Sequence, residues 1–153
     1  VAILPFLEQQ KLYEAYKLDE PWDSENNKKL LDKMPQVYRN PSAGNTGNFP
    51  NYFGLTGPST GLGEGSGEAL RNFIDGTSKT ILVIGAKRDI PWTKPEDIPF
   101  DPEKELPKFG GYHQGGFQVV LADGSVRFIA QAIDKMTLKA LLTRNGKEVI
   151  PQF

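Results

Sequence analysis

The stretch Phe109–Ala130, FGGYHQGGFQVVLADGSVRFIA, decides how this chain is read. Phe117-Gln118-Val119-Val120-Leu121-Ala122 is rich in strand formers. Asp123-Gly124 suits the two-residue turn whose twist matches paired strands. Ser125-Val126-Arg127-Phe128-Ile129 returns. With Asp123 and Gly124 as the whole loop, Ala122 faces Ser125, Leu121 faces Val126 and Val119 faces Phe128. Phe117, Val119, Leu121, Val126, Phe128 and Ala130 would then share one apolar face. The other face, with Gln118, Val120, Ala122, Ser125, Arg127 and Ile129, would be mixed. A ribbon greasy on one side must be covered, so the rest of the domain is expected to cover it.

Working outward, residues 1–18 place Phe6, Leu7, Tyr13 and, more loosely, Leu12 and Tyr16 at helical spacing. With Pro5 in the first turn, the spacing predicts a helix from about Pro5 to Leu18. Asp23 or Ser24 can cap a second helix from Ser24 to Met34, which turns Leu30, Leu31 and Met34 inward. Pro35 stops it. Val37-Tyr38-Arg39 reads as a short strand, and Asn40–Pro50 as loop. Tyr52–Thr56 is a strand candidate. Gly57–Gly67 is a Gly/Ser-rich loop that lacks the Gly-Lys-Ser/Thr ending of a phosphate-binding loop. Ala69–Ile74 leads into the turn Asp75-Gly76-Thr77-Ser78, and Thr80–Ala86 is a buried strand. Lys87–Lys108 carries Pro91, Pro95, Pro99, Pro102 and Pro107, which forbid a regular helix or a central strand. Past the hairpin, Asp134 caps a helix from Lys135 to Thr143 that stops at Asn145-Gly146. Glu148-Val149-Ile150 could add an edge strand. The order is α+β with an antiparallel sheet rather than alternating βαβ.

A chain of 153 residues is expected to form a single globular domain over 1–153. Its 16 Gly and 12 Pro imply many turns and long connections. A net charge of −1 argues against a nucleic-acid partner, which needs a basic face. The absence of cysteine excludes disulfides and thiolate metal sites. No apolar run is long enough for a membrane helix. The chain opens at Val1 rather than Met, which reads as a processed or excised piece with an anchor or signal lost upstream.

His113, nine residues, then Asp123-Gly124 is a recognisable spacing. Together with Ile3-Leu4-Pro5-Phe6-Leu7-Glu8-Gln9-Gln10, Asp19-Glu20-Pro21-Trp22-Asp23-Ser24, Asp75-Gly76-Thr77-Ser78 and Pro91-Trp92-Thr93-Lys94-Pro95-Glu96-Asp97, it closely resembles the planctomycete "domain of unknown function 1559" family, with its prepilin-type processing-associated H-X9-DG domain. The resemblance runs almost end to end. It implies a pilin-like fold, with N-terminal helices packed on an antiparallel sheet and a leading hydrophobic helix that this chain lacks. It further implies export to the periplasm or cell surface, with a membrane anchor only through that missing helix. Two departures matter. The family often has Cys where this chain has Asn40, which removes a possible disulfide partner. It often has an acidic residue near Gly85-Ala86, and the lack of one here weakens any carboxylate cluster at that strand end.

His113 is the single histidine. A dyad with Asp123 is excluded by length, because ten extended steps cover about 33 Å. Asp123 is read as a turn residue tolerating left-handed geometry. His113 is read as bonding the backbone or packing beside Tyr112. Zinc does not suit one His and no Cys. The metal that suits this chain is calcium, on Glu96, Asp97 and Asp101 of the Pro-rich loop with Asp75. Trp92, with Trp22, Tyr52 and Tyr112, could offer a stacking surface for a glycan. Trp92, Tyr112 and His113 are thus the ligand-binding candidates, and His113, Asp123 and Gly124 the structural motif. Nothing marks a specific acid and base, so no enzyme and no other cofactor is expected. The leading expectation is the head of a pseudopilin-like protein that works by assembly with other subunits, pilin-like or secretion components. The alternative is an extracellular module binding a glycan, calcium or a small solute.

Overall fold

A computed structural model describes residues 1–44, 46–64, 67–151 and 153. The chain falls into two compact units, one of Val1–Asn51 with Arg88–Glu96 and one of Tyr52–Lys87 with Asp97–Phe153. Among the described residues no helix is long and apolar enough to cross a membrane.

The first unit is built from short turns of helix. The helix expected over residues 5–18 is broken. A 3-10 turn, Leu4–Leu7, ends at Glu8, whose φ of 58° is left-handed. A new helix, α1, then runs over Gln10–Ala15. The break rotates the two halves out of phase, so Leu4 and Leu12 go inward and Phe6 is left outside. Ser24 caps α2, Glu25–Lys28, by accepting from the amide of Asn27. The expected helix to Met34 continues only as a 3-10 turn over Leu31–Lys33. Asn27 is fully buried, and its side chain bonds the carbonyls of Lys17 and Pro21 and the amide of Lys17. A side chain tied so firmly to the preceding loop favours local bonding over helix propagation. Val37-Tyr38-Arg39 is not a strand, because Gln36–Tyr38 forms a further 3-10 turn. Leu4, Leu12, Leu30, Met34 and Trp92 make the core of this unit.

The second unit holds a five-stranded sheet in the order β3-β1-β2-β4-β5. The strands are β1 Tyr52–Thr56, β2 Ile81–Gly85, β3 Ile98–Pro99, β4 Gly116–Leu121 and β5 Val126–Ala130. All neighbours are antiparallel except β3, which runs parallel to β1, so the sheet is mixed rather than purely antiparallel. Pro99 ends β3 at the sheet's rim, where a missing amide is tolerated. Helix α3, Lys135–Leu142, begins at Asp134, whose carboxylate accepts from the amide of Thr137. It buries Leu138, Leu141 and Leu142 and lies against β2. Residues 148–150 form no strand, and Val149 is exposed.

The hairpin β4–β5 forms, but one residue out of the expected register. Val120 pairs with Val126, Val119 with Arg127 and Phe117 with Ile129. The loop is three residues long, closed by the Leu121 amide on the Ser125 carbonyl at 2.9 Å and the Gly124 amide on the Leu121 carbonyl at 2.9 Å. The cause is backbone conformation. A two-residue type I′ loop needs positive φ at both positions. Only Gly124 supplies it, at 84°, while Asp123 keeps an ordinary φ. A one-residue slip moves every side chain of the return strand to the opposite face. Phe117, Val119, Leu121 and Ile129 are therefore buried, whereas Val126 and Phe128 are exposed. The expected single apolar face is thus divided between the two sides of the sheet.

Two substitutions probe the units separately. A Cβ on Gly116 would sit 2.2 Å from the Ile129 carbonyl oxygen. Backbone cannot rotate away, so Gly116→Ala should cost about 1–3 kcal/mol; urea unfolding with wild-type stability would contradict the close β4–β5 approach. Trp92→Ala should cost about 3–5 kcal/mol, read as an earlier loss of tryptophan-independent far-ultraviolet ellipticity; a silent substitution would show that the ring does not fill the first core.

Candidate functional site

The spacing from His113 to Asp123-Gly124 spans β4 from one end to the other. At the turn, Asp123 accepts from the amide of Ser125 at 2.9 Å and from its hydroxyl at 2.7 Å. The Ser125 hydroxyl, then its amide, hold the Asp123 carboxyl below the usual carboxylate range. The corner is fixed to the turn before β2, because the Asp123 amide donates to Thr77 and the Ala122 amide to Thr80. Thr80 is fully buried, with its hydroxyl on the Gly76 carbonyl at 3.1 Å and near the Thr143 carbonyl at 3.4 Å. Asp75 of the same turn accepts from the amides of Gly146 at 2.8 Å and Lys147 at 2.7 Å. Asp75-Gly76-Thr77-Ser78, Asp123-Gly124 and the chain leaving α3 thus form one bonded junction.

Next in the chain, Arg144 reaches the glycine-rich loop. Its guanidinium donates to the carbonyls of Pro58 and Thr60, both at 2.7 Å, and pairs with Glu68 at 2.8 Å. Both partners of that ion pair are largely buried. Residues 65 and 66 of the expected 57–67 loop lie outside the described residues.

His113 lies at the other end of β4. It makes a β-bridge with Gly116, and its ring meets the Phe128 ring edge-on at 6.0 Å and 82°. The Phe128 ring in turn lies over Gly116, within 2.6 Å of where a Cβ would be. Bare backbone at Gly116 makes room for Phe128, and His113 flanks it. Tyr112, next to His113 in the chain, is half-buried.

The other candidates are dispersed. Trp92 is 6% exposed and donates its indole N–H to the Leu31 carbonyl at 2.9 Å, with the Tyr38 ring 6.1 Å away. A sugar platform needs an open ring face, and this ring is enclosed by its own core. Glu96 pairs with Lys94. Asp97 accepts from the Gly54 amide at 2.9 Å. Asp101 accepts from the Glu103 amide at 2.9 Å and pairs with Lys104 at 3.2 Å. The Glu103 amide, then Lys104, lower its pKa. Among the described residues, no three His, Asp or Glu side chains are grouped to hold a metal ion. What the sequence reading missed is the exposure of Val126 and Phe128, 62% and 53%, on the last strand of the sheet. A signal was present, since Ala122-Asp123-Gly124 also fits a three-residue loop with glycine in the left-handed place.

Comparison with known proteins adds the family. A family described as "Protein of unknown function (DUF1559)" matches residues 1–61 and 85–136. The chain belongs to the DUF1559 family. The match covers most of the chain and includes His113, Asp123 and Gly124 of the motif traced above. No curated protein and no solved structure matches this family member at the significance required.

The hairpin corner and the cap of α3 make stability depend on acid. Asp123 and Asp134 both have lowered pKa values, Asp123 through Ser125 and Asp134 chiefly through the Thr137 amide. A depressed folded pKa stabilises above the unfolded value and ceases to do so as pH falls through the folded one. The melting temperature should therefore fall as pH drops below about 4. Asp123→Asn with Asp134→Asn keeps the acceptors but removes the titration, and should flatten that fall. An equally steep fall in the double variant would count against this assignment.

Proposed function

We propose that this DUF1559 protein is the head of an exported, pseudopilin-like protein that acts by contact with other protein subunits rather than by catalysis. One observation carries the reading. The sheet's last strand turns Val126 and Phe128 to solvent, 62% and 53% exposed, beside one another on one face. Exposed large apolar side chains grouped on a sheet are a feature of contact surfaces. The motif residues support the same reading, because each is occupied in shaping the hairpin. Asp123 fixes the corner, Gly124 takes the left-handed backbone, and His113 flanks Phe128. Side chains engaged in fixing the shape of a hairpin suit a protein whose surface, rather than a reacting group, is the working part.

The partners on this reading are copies or relatives of the same protein at the periplasmic face or the cell surface, with any membrane attachment made by a hydrophobic helix outside this chain. The reading is tested by fractionating cells that make the full-length protein and cross-linking them intact. An envelope location, with cross-linked species of higher mass, is the expected result. A cytoplasmic location, or an exported protein that cross-links to nothing, would overturn it.

A further inference from the structure

We propose that β5 is a pairing edge that joins two copies of this chain into a two-fold dimer, with Phe128 on the axis. The inference rests on the assembly reading and names its partner and surface.

The two rims of the sheet differ. β3 is two residues long and ends in Pro99, which has no amide to offer another strand. β5 has five residues, no proline, no lysine and no shift in its register with β4. Natural sheets protect exposed edges with proline, bulges and charge, and of these β5 carries only the single charge of Arg127, so it remains available for pairing. Its backbone is also correctly aimed. Toward β4, the strand uses the Ser125 carbonyl and the Gln131 amide, at 2.9 and 2.7 Å. Antiparallel alternation assigns Arg127 and Ile129 to the same side. The backbone groups of Val126 and Phe128 therefore point along the open rim.

Self-pairing has few possible registers. Outward-pointing residues must meet outward-pointing residues. The register centred on Phe128 overlaps all five residues of β5 with their copies. Phe128 meets the partner's Phe128, Val126 meets the partner's Ala130, and Arg127 meets the partner's Ile129. Centring on Arg127 would set two guanidiniums directly opposite, which is destabilising. Centring on Ile129 would slide Val126 and Arg127 past the partner strand's end. Arg127 is the one charged side chain in β5, so charge and overlap select the same register. It also places the exposed Val126 and Phe128 of both copies on one continuous face, and an interface of this kind is isologous, as a closed dimer requires.

The test uses sedimentation equilibrium of the chain over a wide concentration range. Wild type should show a monomer–dimer equilibrium. Phe128→Lys would put two ammonium groups on the axis and should weaken dimerisation by about tenfold or more, with its melting curve showing that it still folds. The chain has no cysteine, so an introduced one reports on proximity without dependence on the first variant. Phe128→Cys should form a disulfide-linked dimer under mild oxidation much faster than Met136→Cys, which is 80% exposed on α3. A strictly monomeric wild type, a dimer indifferent to Phe128→Lys, or equal cross-linking at the two positions would overturn the inference. A monomer in solution that still cross-links in the cell envelope would overturn this inference and leave the assembly reading standing.

Discussion

The left-handed backbone at Gly124 governs the second unit more than any side chain does. Its φ of 84° lets the chain reverse in three residues while Asp123 stays in ordinary territory. That count sets the pairing of β4 with β5, and the pairing decides which side chains reach the core. Ile129 goes in, and Phe128 and Val126 go out. Asp123 contributes by holding Ser125, whose amide and hydroxyl both bond its carboxylate. Other residues could form a hairpin here. Few would fix this parity, and a hairpin with the other parity would present a different surface.

The same corner binds the sheet to the rest of its unit. The amides of Ala122 and Asp123 end on Thr80 and Thr77, and the turn that carries those threonines is anchored through Asp75 to the chain beyond α3. Arg144 extends the network to the glycine-rich loop through two carbonyls and Glu68. Most of these bonds satisfy backbone groups that irregular segments would otherwise leave unpaired, and unpaired buried groups are costly. A unit with so many turns needs such a junction. The acidic turn residues Asp75 and Asp123 act as acceptors for backbone amides.

What could be read from the sequence follows physical range. β1, β2, the existence of the β4–β5 hairpin and the Asp134 cap depend on local patterns and were legible. β3 was not legible, because the prolines of 87–108 read as loop throughout, and its two residues pair only once β1 is in place. Register was not legible, because Asp-Gly is compatible with loops of two or three residues and a single residue reverses the faces. The long first helix failed for a related reason. Apolar spacing over residues 1–18 cannot reveal the left-handed residue at Glu8. Nor could it reveal that Asn27 would spend its amide on Lys17 and Pro21. At the site, the placing of His113 and Asp123 at opposite ends of β4 was legible from chain length, whereas the left-handed geometry expected at Asp123 falls on Gly124 instead. The His113–Phe128 contact was not, since it crosses strands whose pairing had to be known first.

Sheet geometry links that contact to the open edge. Phe128 projects from β5 on the solvent side, and a free aromatic ring there would sample several rotamers. Gly116 gives it a shallow seat on β4, and the His113 ring closes on it from the side. An aromatic ring laid over a strand glycine shields the backbone beneath it. Together the two neighbours restrict Phe128. A restricted side chain loses less entropy on contact than a mobile one, which favours binding without adding a bond. The histidine and the glycine corner therefore act on the same strand from its two ends. The corner decides that Phe128 faces outward, and His113 flanks its ring.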